Sequence, residues 1–182
     1  MIGCNFWRRA IILGLSAGVF ISARAEEALF SPDAAGLRMG SSANARGGQF
    51  TDFEGFVDWN LAVDWELPAK WDWRLRMETP LGYLTARGDD TVFGGLGPDV
   101  VIRREGWRVS LEAGSNFIII GRHQFGRKDL GSDLEFATHV GFNVELAPHV
   151  AIGYRFQHMS NAGIGINNPG LNLSLISLAY VF

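Results

Sequence analysis

Leu134-Glu135-Phe136-Ala137-Thr138-His139-Val140-Gly141-Phe142-Asn143-Val144-Glu145-Leu146 decides how this chain folds. Leu134, Phe136, Thr138, Val140, Phe142, Val144 and Leu146 occupy alternate positions, and Glu135, Ala137, His139, Gly141, Asn143 and Glu145 fill the gaps. Successive side chains of a β-strand point to opposite faces, so this period predicts a strand with one apolar and one polar face. The same period recurs along the chain. Val57, Trp59, Leu61, Val63, Trp65 and Leu67 oppose Asp58, Asn60, Ala62, Asp64 and Glu66. Further runs set Trp71, Trp73, Leu75 and Met77 against Asp72, Arg74, Arg76 and Glu78, and Trp107 to Ala113 against Arg108 to Gly114. Val150, Ile152, Tyr154 and Phe156 follow, and Ile176, Leu178, Tyr180 and Phe182 end the chain. With weaker segments near 37–44 and 91–103, the total is about eight strands, the number that closes a small barrel. Short turns at 67–70 and 147–149 alternate with longer polar stretches at 84–91 and 121–133. That is the habit of outer-membrane barrels.

Composition narrows the class. The chain has 182 residues, 47% hydrophobic, with 23 Gly, 13 Phe and 6 Trp, so it is too apolar for disorder. A net charge of −3 gives no reason to expect nucleic acid as partner. One cysteine, Cys4, cannot form an internal disulfide. Residues 1–25 read as a cleaved signal peptide, with Arg8 and Arg9 before an apolar stretch from Ala10 to Ile21. Ala23-Arg24-Ala25 makes a small-x-small cleavage site. Residues 26–182 are then the barrel domain.

The two faces allow two solutions. A soluble barrel of the lipocalin kind turns its apolar face inward, whereas a membrane barrel turns it toward lipid and keeps its charges inside. The export signal and the aromatic end at Phe182, which resembles the assembly signal of bacterial outer-membrane proteins, favour the second. The expectation is an all-β, eight-stranded antiparallel transmembrane barrel. Asp64, Arg74, Arg76, Glu78, Glu112, Glu135, Glu145 and Arg155 should pair within it.

One segment breaks the pattern. His158 and Ser160 share parity with Tyr154 and Phe156 on the apolar face, and Asn172 shares parity with Ile176 and Leu178 on the next strand. Polar groups facing lipid cost free energy, so they call for a function or an interfacial position. Ser160 is a candidate nucleophile, His158 its general base, and Asn172 the group that orients the imidazole. Asn161, through its side-chain amide, and Gly163, through its backbone N–H, are candidate donors to an oxyanion. The plainer alternative is that His158 belongs to an interfacial aromatic girdle and residues 160–163 form a turn.

His158-Met159-Ser160-Asn161-Ala162-Gly163-Ile164, then Asn168-Pro169-Gly170-Leu171, a strand and a terminal Phe182, resembles the PagL-type outer-membrane lipid A 3-O-deacylase family over residues 152–182. The resemblance implies a barrel in the bacterial outer membrane whose His-Ser pair faces lipid. Its substrate would be lipid A of lipopolysaccharide, from which it hydrolyses the 3-linked acyl ester. It implies no cofactor and leaves a homodimer open. Where the family has Glu, this chain has Asn172. An amide oxygen still accepts an imidazole N–H but carries no negative charge. In the serine-protease triad the matching Asp→Asn change costs about 10⁴ in kcat. Glu135 and Asp129 are the other acids considered for this role. A non-catalytic barrel on the same scaffold is the competing class.

Other signals carry less. His123, His139 and His149 lack metal-ligand spacing, so no metal is expected. Gly94-Gly95-Leu96-Gly97 does not precede a helix and reads as close strand packing. Arg122, Arg127 and Lys128 lie together in a long loop; contact to the phosphates or core sugars of lipid A is one reading, and a solvated polar loop is the favoured one.

Overall fold

The structure, a computed structural model, describes residues 31–42, 48–61, 63 and 70–182. The expected signal at 1–25 and the interior placement of Asp64 lie outside these residues. Ten strands follow in chain order: β1 (Pro32–Ser42), β2 (Phe50–Leu61), β3 (Trp71–Ala86), β4 (Asp89–Arg104), β5 (Val109–Ile120), β6 (Gln124–Phe125), β7 (Lys128–Asp129), β8 (Leu134–Ala147), β9 (Val150–Ser160) and β10 (Leu171–Val181). Eight of them close a barrel in the order β1-β10-β9-β8-β5-β4-β3-β2, every neighbour antiparallel. The remaining two form a small hairpin inside the 121–133 excursion. All-β closure by eight strands therefore matches the expectation.

Two boundaries differ from the sequence reading. The first alternating run begins at Phe50 rather than Val57. The stretch 84–91 is not a long loop. β3 and β4 are 16 residues each and run on to a tight turn at Arg87 and Gly88, with φ of 58° and 85°. Positive φ at both central residues is what the twist of a two-residue hairpin requires. A tilted strand crosses a membrane in about 9–11 residues, so these two strands overrun that length.

Face assignment follows the parity. Leu81, Val92, Ile119, Val140, Ile176 and Leu178 are exposed on the outer wall. Toward the rim where β1 starts and β10 ends, Trp71 packs on Trp107 with centroids 6.0 Å apart, and His149 stacks on Tyr180 at 5.4 Å. An apolar band with aromatics at its edge is the surface a lipid bilayer selects.

Inside, the barrel has two layers. The half nearer that rim is charged. Arg155 donates to both Glu78 oxygens at 2.7 and 2.8 Å, and its Nε donates to Glu112 at 2.8 Å. Arg38 bonds Glu54 and Glu78, while Arg76 bonds Asp99 and pairs with Asp58. Arg74 reaches Asp33, and Arg103 reaches Glu145. Glu135 departs from the expected pairing. It faces inward and is buried, but its Oε1 finds no partner. The other half is apolar. Phe50, Phe93, Ile118, Met159, Leu171 and Leu173 form one buried cluster, joined by Phe125 and Leu130 from the 121–133 excursion. Phe50 and Phe125 meet edge to face at 5.0 Å. The excursion is thereby folded over the mouth of the barrel and stoppers it.

The glycine cluster of β4 behaves as close packing. A Cβ on Gly95 or Gly97 would collide with the Phe117 or Ser115 carbonyl of β5. His139 is buried inside with Nε2 3.2 Å from Asp99, and His149 caps a turn with Nδ1 2.7 Å from the Val181 carbonyl.

Removing Arg155 takes three charge-assisted bonds from Glu78 and Glu112, leaving Glu78 hydrogen-bonded to Arg38 and Asn116 and Glu112 to Asn143. Breaking a buried pair of this kind costs about 3–5 kcal/mol. Arg155→Met should therefore lower the temperature at which the folded barrel loses its compact gel mobility, or prevent assembly. Arg103→Met, which frees only a half-exposed Glu145, should change it little.

Candidate active site

The last turn of β9 and the first of β10 carry the polar residues singled out above. Their register is direct, because His158 is the cross-strand partner of Asn172. Directly opposed residues on one face have their Cβ atoms about 5 Å apart, within reach of a side-chain hydrogen bond. The bond forms: His158 Nδ1 lies 2.6 Å from Asn172 Oδ1. An amide oxygen can only accept, so Nδ1 carries the proton and Nε2 keeps its lone pair. His158 is exposed on the outer wall, whereas Ser160 and Asn172 are half-buried. Ser160 ends β9 opposite Phe136, and no hydrogen bond engages its hydroxyl among the described residues. The structure thus brings His158 and Asn172 together, with Ser160 two residues along the same face.

Neither alternative acid approaches this imidazole. Asp129 Oδ1 accepts from His123 Nδ1 at 2.6 Å and from the Gly131 N–H at 2.8 Å. The His123 bond, followed by that N–H, holds the Asp129 carboxyl below the usual carboxylate range. Glu135 faces the barrel interior.

Asn161 and Gly163 are arranged differently from the expectation of free oxyanion donors. Asn161 is buried, and its Nδ2 donates to the Leu130 carbonyl at 2.9 Å and the Asn167 carbonyl at 2.6 Å. Its Oδ1 accepts the Gly163 N–H at 2.9 Å. Both residues therefore brace the turn after Ser160, a local side-chain-to-backbone bond of the kind Asn favours. Ala162 lies between them with φ of 54°, and its N–H has no acceptor among the described residues.

Two residues at the site escape sequence reading. Gly170 sits against the imidazole edge with φ of 60°, where a Cβ would lie 2.8 Å from His158 Cε1 and 3.4 Å from Nε2. Lys128 reaches over from the excursion and donates to the Gly170 carbonyl at 2.7 Å, its ammonium also 5.4 Å from the centre of the Phe50 ring. Burial pulls that ammonium below the usual lysine value. The basic trio of the loop is thus not a uniformly solvated patch. Lys128 is tied to Gly170 and Arg122 to Asp89 at 2.7 Å, while Arg127 is exposed. A glycine beside a histidine it does not neighbour in sequence leaves no local signal. A further polar pair, Ser115 and Thr138, hydrogen-bonds at 3.0 Å on the outer wall, and Thr138 is the β8 partner of His158. Among the described residues no three His, Asp or Glu side chains are grouped to hold a metal ion.

The family described as Lipid A 3-O-deacylase (PagL) matches residues 54–181. The lipid A deacylase PagL of Bordetella bronchiseptica is 38% identical over 77 residues, which are 42% of this chain and 43% of that protein. The match thus spans less than half of the relative's length. The crystal structure of the outer membrane enzyme PagL superposes with a TM-score of 0.70 at 18% identity, covering 82% of this chain and 99% of the other. At that identity the superposition speaks for the fold.

Gly170→Ala forces both a strained backbone and a contact on the His158 ring, so the imidazole should move. Displacing a reacting group by about 1 Å costs about 10²-fold in rate. The expected outcome is a fall in kcat of that order, with unchanged barrel mobility on gels.

Proposed function

The chain belongs to the lipid A 3-O-deacylase family, and on that premise we propose that it is a serine esterase of the bacterial outer membrane that hydrolyses the 3-linked acyl ester of lipid A. The observation that carries this reading is the 2.6 Å contact from His158 Nδ1 to Asn172 Oδ1, beside an unengaged Ser160 hydroxyl on the outer wall. Residues 1–25 serve as the export signal in this reading.

The chemistry follows from the tautomer. Ser160 Oγ attacks the ester carbonyl carbon, and His158 Nε2 takes the hydroxyl proton. Apo enzymes often hold this hydrogen bond open, and it tightens when substrate is bound. The tetrahedral intermediate collapses as its C–O bond to the sugar breaks, and the departing alkoxide takes the proton back from Nε2. Water then attacks the acyl carbon and gives a proton to the same nitrogen; the bond to Ser160 Oγ breaks, Oγ takes that proton back from Nε2, and the fatty acid leaves. Asn172 is a positioning residue that keeps the proton on Nδ1 and the lone pair toward Ser160. Asn161 and Gly163 remain the donors proposed by position for the oxyanion. Since their hydrogen bonds are spent on the turn, that role requires the Gly163 N–H to leave Asn161 Oδ1. The unengaged Ala162 N–H supplies a donor in the same turn.

Mass spectra of lipid A from cells producing the protein should show loss of the 3-linked acyl chain. Ser160→Ala and His158→Asn should abolish that loss while the barrel still assembles. Identical spectra with wild type and Ser160→Ala would sink the enzyme reading.

The second reading is a non-catalytic barrel, favoured by the uncharged Asn172 and the committed Asn161 and Gly163 donors. Asn172→Glu separates the two. A carboxylate stabilises the imidazolium, so kcat should rise if Asn172 merely limits the rate, toward the scale of about 10⁴ seen for such swaps. Activity that appears in the Glu variant alone would mark the native chain as inactive.

A further inference from the structure

The ten residues from Asn161 to Gly170 join β9 to β10 at the mouth of the barrel, and they contain no charged residue. Loops at an aqueous rim are normally polar. The neighbouring excursion obeys that rule, with Arg122, Arg127, Lys128, Asp129 and Asp133. The 161–170 loop instead presents Ile164 at 64% exposure and Ile166 at 99%.

The direction of these isoleucines follows from what the loop leans on. Its inner side rests on the excursion that stoppers the barrel. Asn161 bonds the Leu130 carbonyl, Gly170 receives Lys128, and a Cβ on Gly165 would collide with the Gly131 carbonyl. Gly165 therefore backs onto the stopper, and the flanking Ile164 and Ile166 project away from it, off the barrel axis. Below them on the same strands lie Tyr154 and Phe156 of β9 and Ile176 of β10, all on the apolar outer wall. The loop thus returns to an apolar surface above the polar patch of His158, Ser160 and Asn172, which lies between it and that wall.

We propose that the 161–170 loop is a lipid anchor, with Ile164 and Ile166 seated in the acyl layer just beneath the headgroups. The inference rests on the reading of the outer wall as lipid-facing and not on catalysis. Apolar side chains partition out of water into such a layer, and a loop without charged residues avoids the large cost of desolvating an ion on entering it. Because the loop starts at the residue after Ser160, an anchored loop also fixes how deep the nucleophile sits. Its occupant is bulk lipid.

The test uses the full chain with Cys4→Ser and a single introduced cysteine, refolded into phosphatidylcholine vesicles and labelled with an environment-sensitive fluorophore. Ile166→Cys reports the loop, Ile176→Cys the wall, and Arg127→Cys the aqueous side of the mouth. Vesicles carry lipids bearing a nitroxide either near the headgroup or deep in the chain. The expected result is blue-shifted emission at 166 quenched most by the shallow nitroxide, strong quenching at 176, and water-like, unquenched emission at 127. Quenching at 176 with water-like emission at 166 overturns the proposal. So does blue-shifted emission at 166 that no nitroxide quenches, because a protein surface, such as a second copy of this chain, would then cover the loop. Unquenched emission at 176 overturns the lipid-facing wall itself.

Discussion

Arg155 sits fully inside the barrel, forked onto Glu78 with a third bond to Glu112, and this arrangement decides which way β9 faces. A guanidinium with three charge-assisted bonds has no comparable partner in lipid, so the strand cannot turn over. Side chains alternate with a period of two, and a slip of one residue would exchange the faces of the whole strand. His158 is an odd number of residues from Arg155, so pinning one inward pins the other outward. Gln157 and Met159, buried on either side of His158 in the chain, obey the same constraint. The polar outward trio is therefore held by an ion pair on the other side of the wall. Stability and the facing of the site share one cause.

Much of this architecture was legible because alternation is a local property. Val140 and His139, or Tyr154 and Arg155, declare opposite faces by adjacency alone, and the eight-strand closure follows from their number. The parity of His158, Ser160 and Asn172 was legible for the same reason, and the 2.6 Å bond is its direct consequence. What stayed hidden depends on contacts between distant segments. The inward placement of Leu171, Leu173 and Leu175 has no partner close in sequence, because the excursion that lays Phe125 and Leu130 among them is far off. Gly170 beside the imidazole and Lys128 on its carbonyl belong to the same category. The 84–91 stretch misled because strands continuing past the membrane no longer need apolar residues to mark them.

Asn161 illustrates a further limit. Its position after Ser160 suggested a donor aimed at substrate, and the type of residue was right for that role. The structure spends the same amide on two backbone carbonyls of neighbouring segments. Sequence specifies which atoms can donate, whereas the fold decides to whom. The consequence is a turn whose shape depends on the Leu130–Gly131 segment as much as on its own residues, with Ser160 at one end and Gly170 at the other.

The layered interior has a bearing on the cell that makes this protein. Eight strands enclose only a narrow lumen, and here one half is laced by ion pairs around a small cavity while the other is filled with Phe and Leu side chains under a folded cover. Such a barrel does not conduct, so it can be abundant without making the envelope leaky to ions or antibiotics. Any traffic with its site must then arrive sideways, through the leaflet, and leave by the same route.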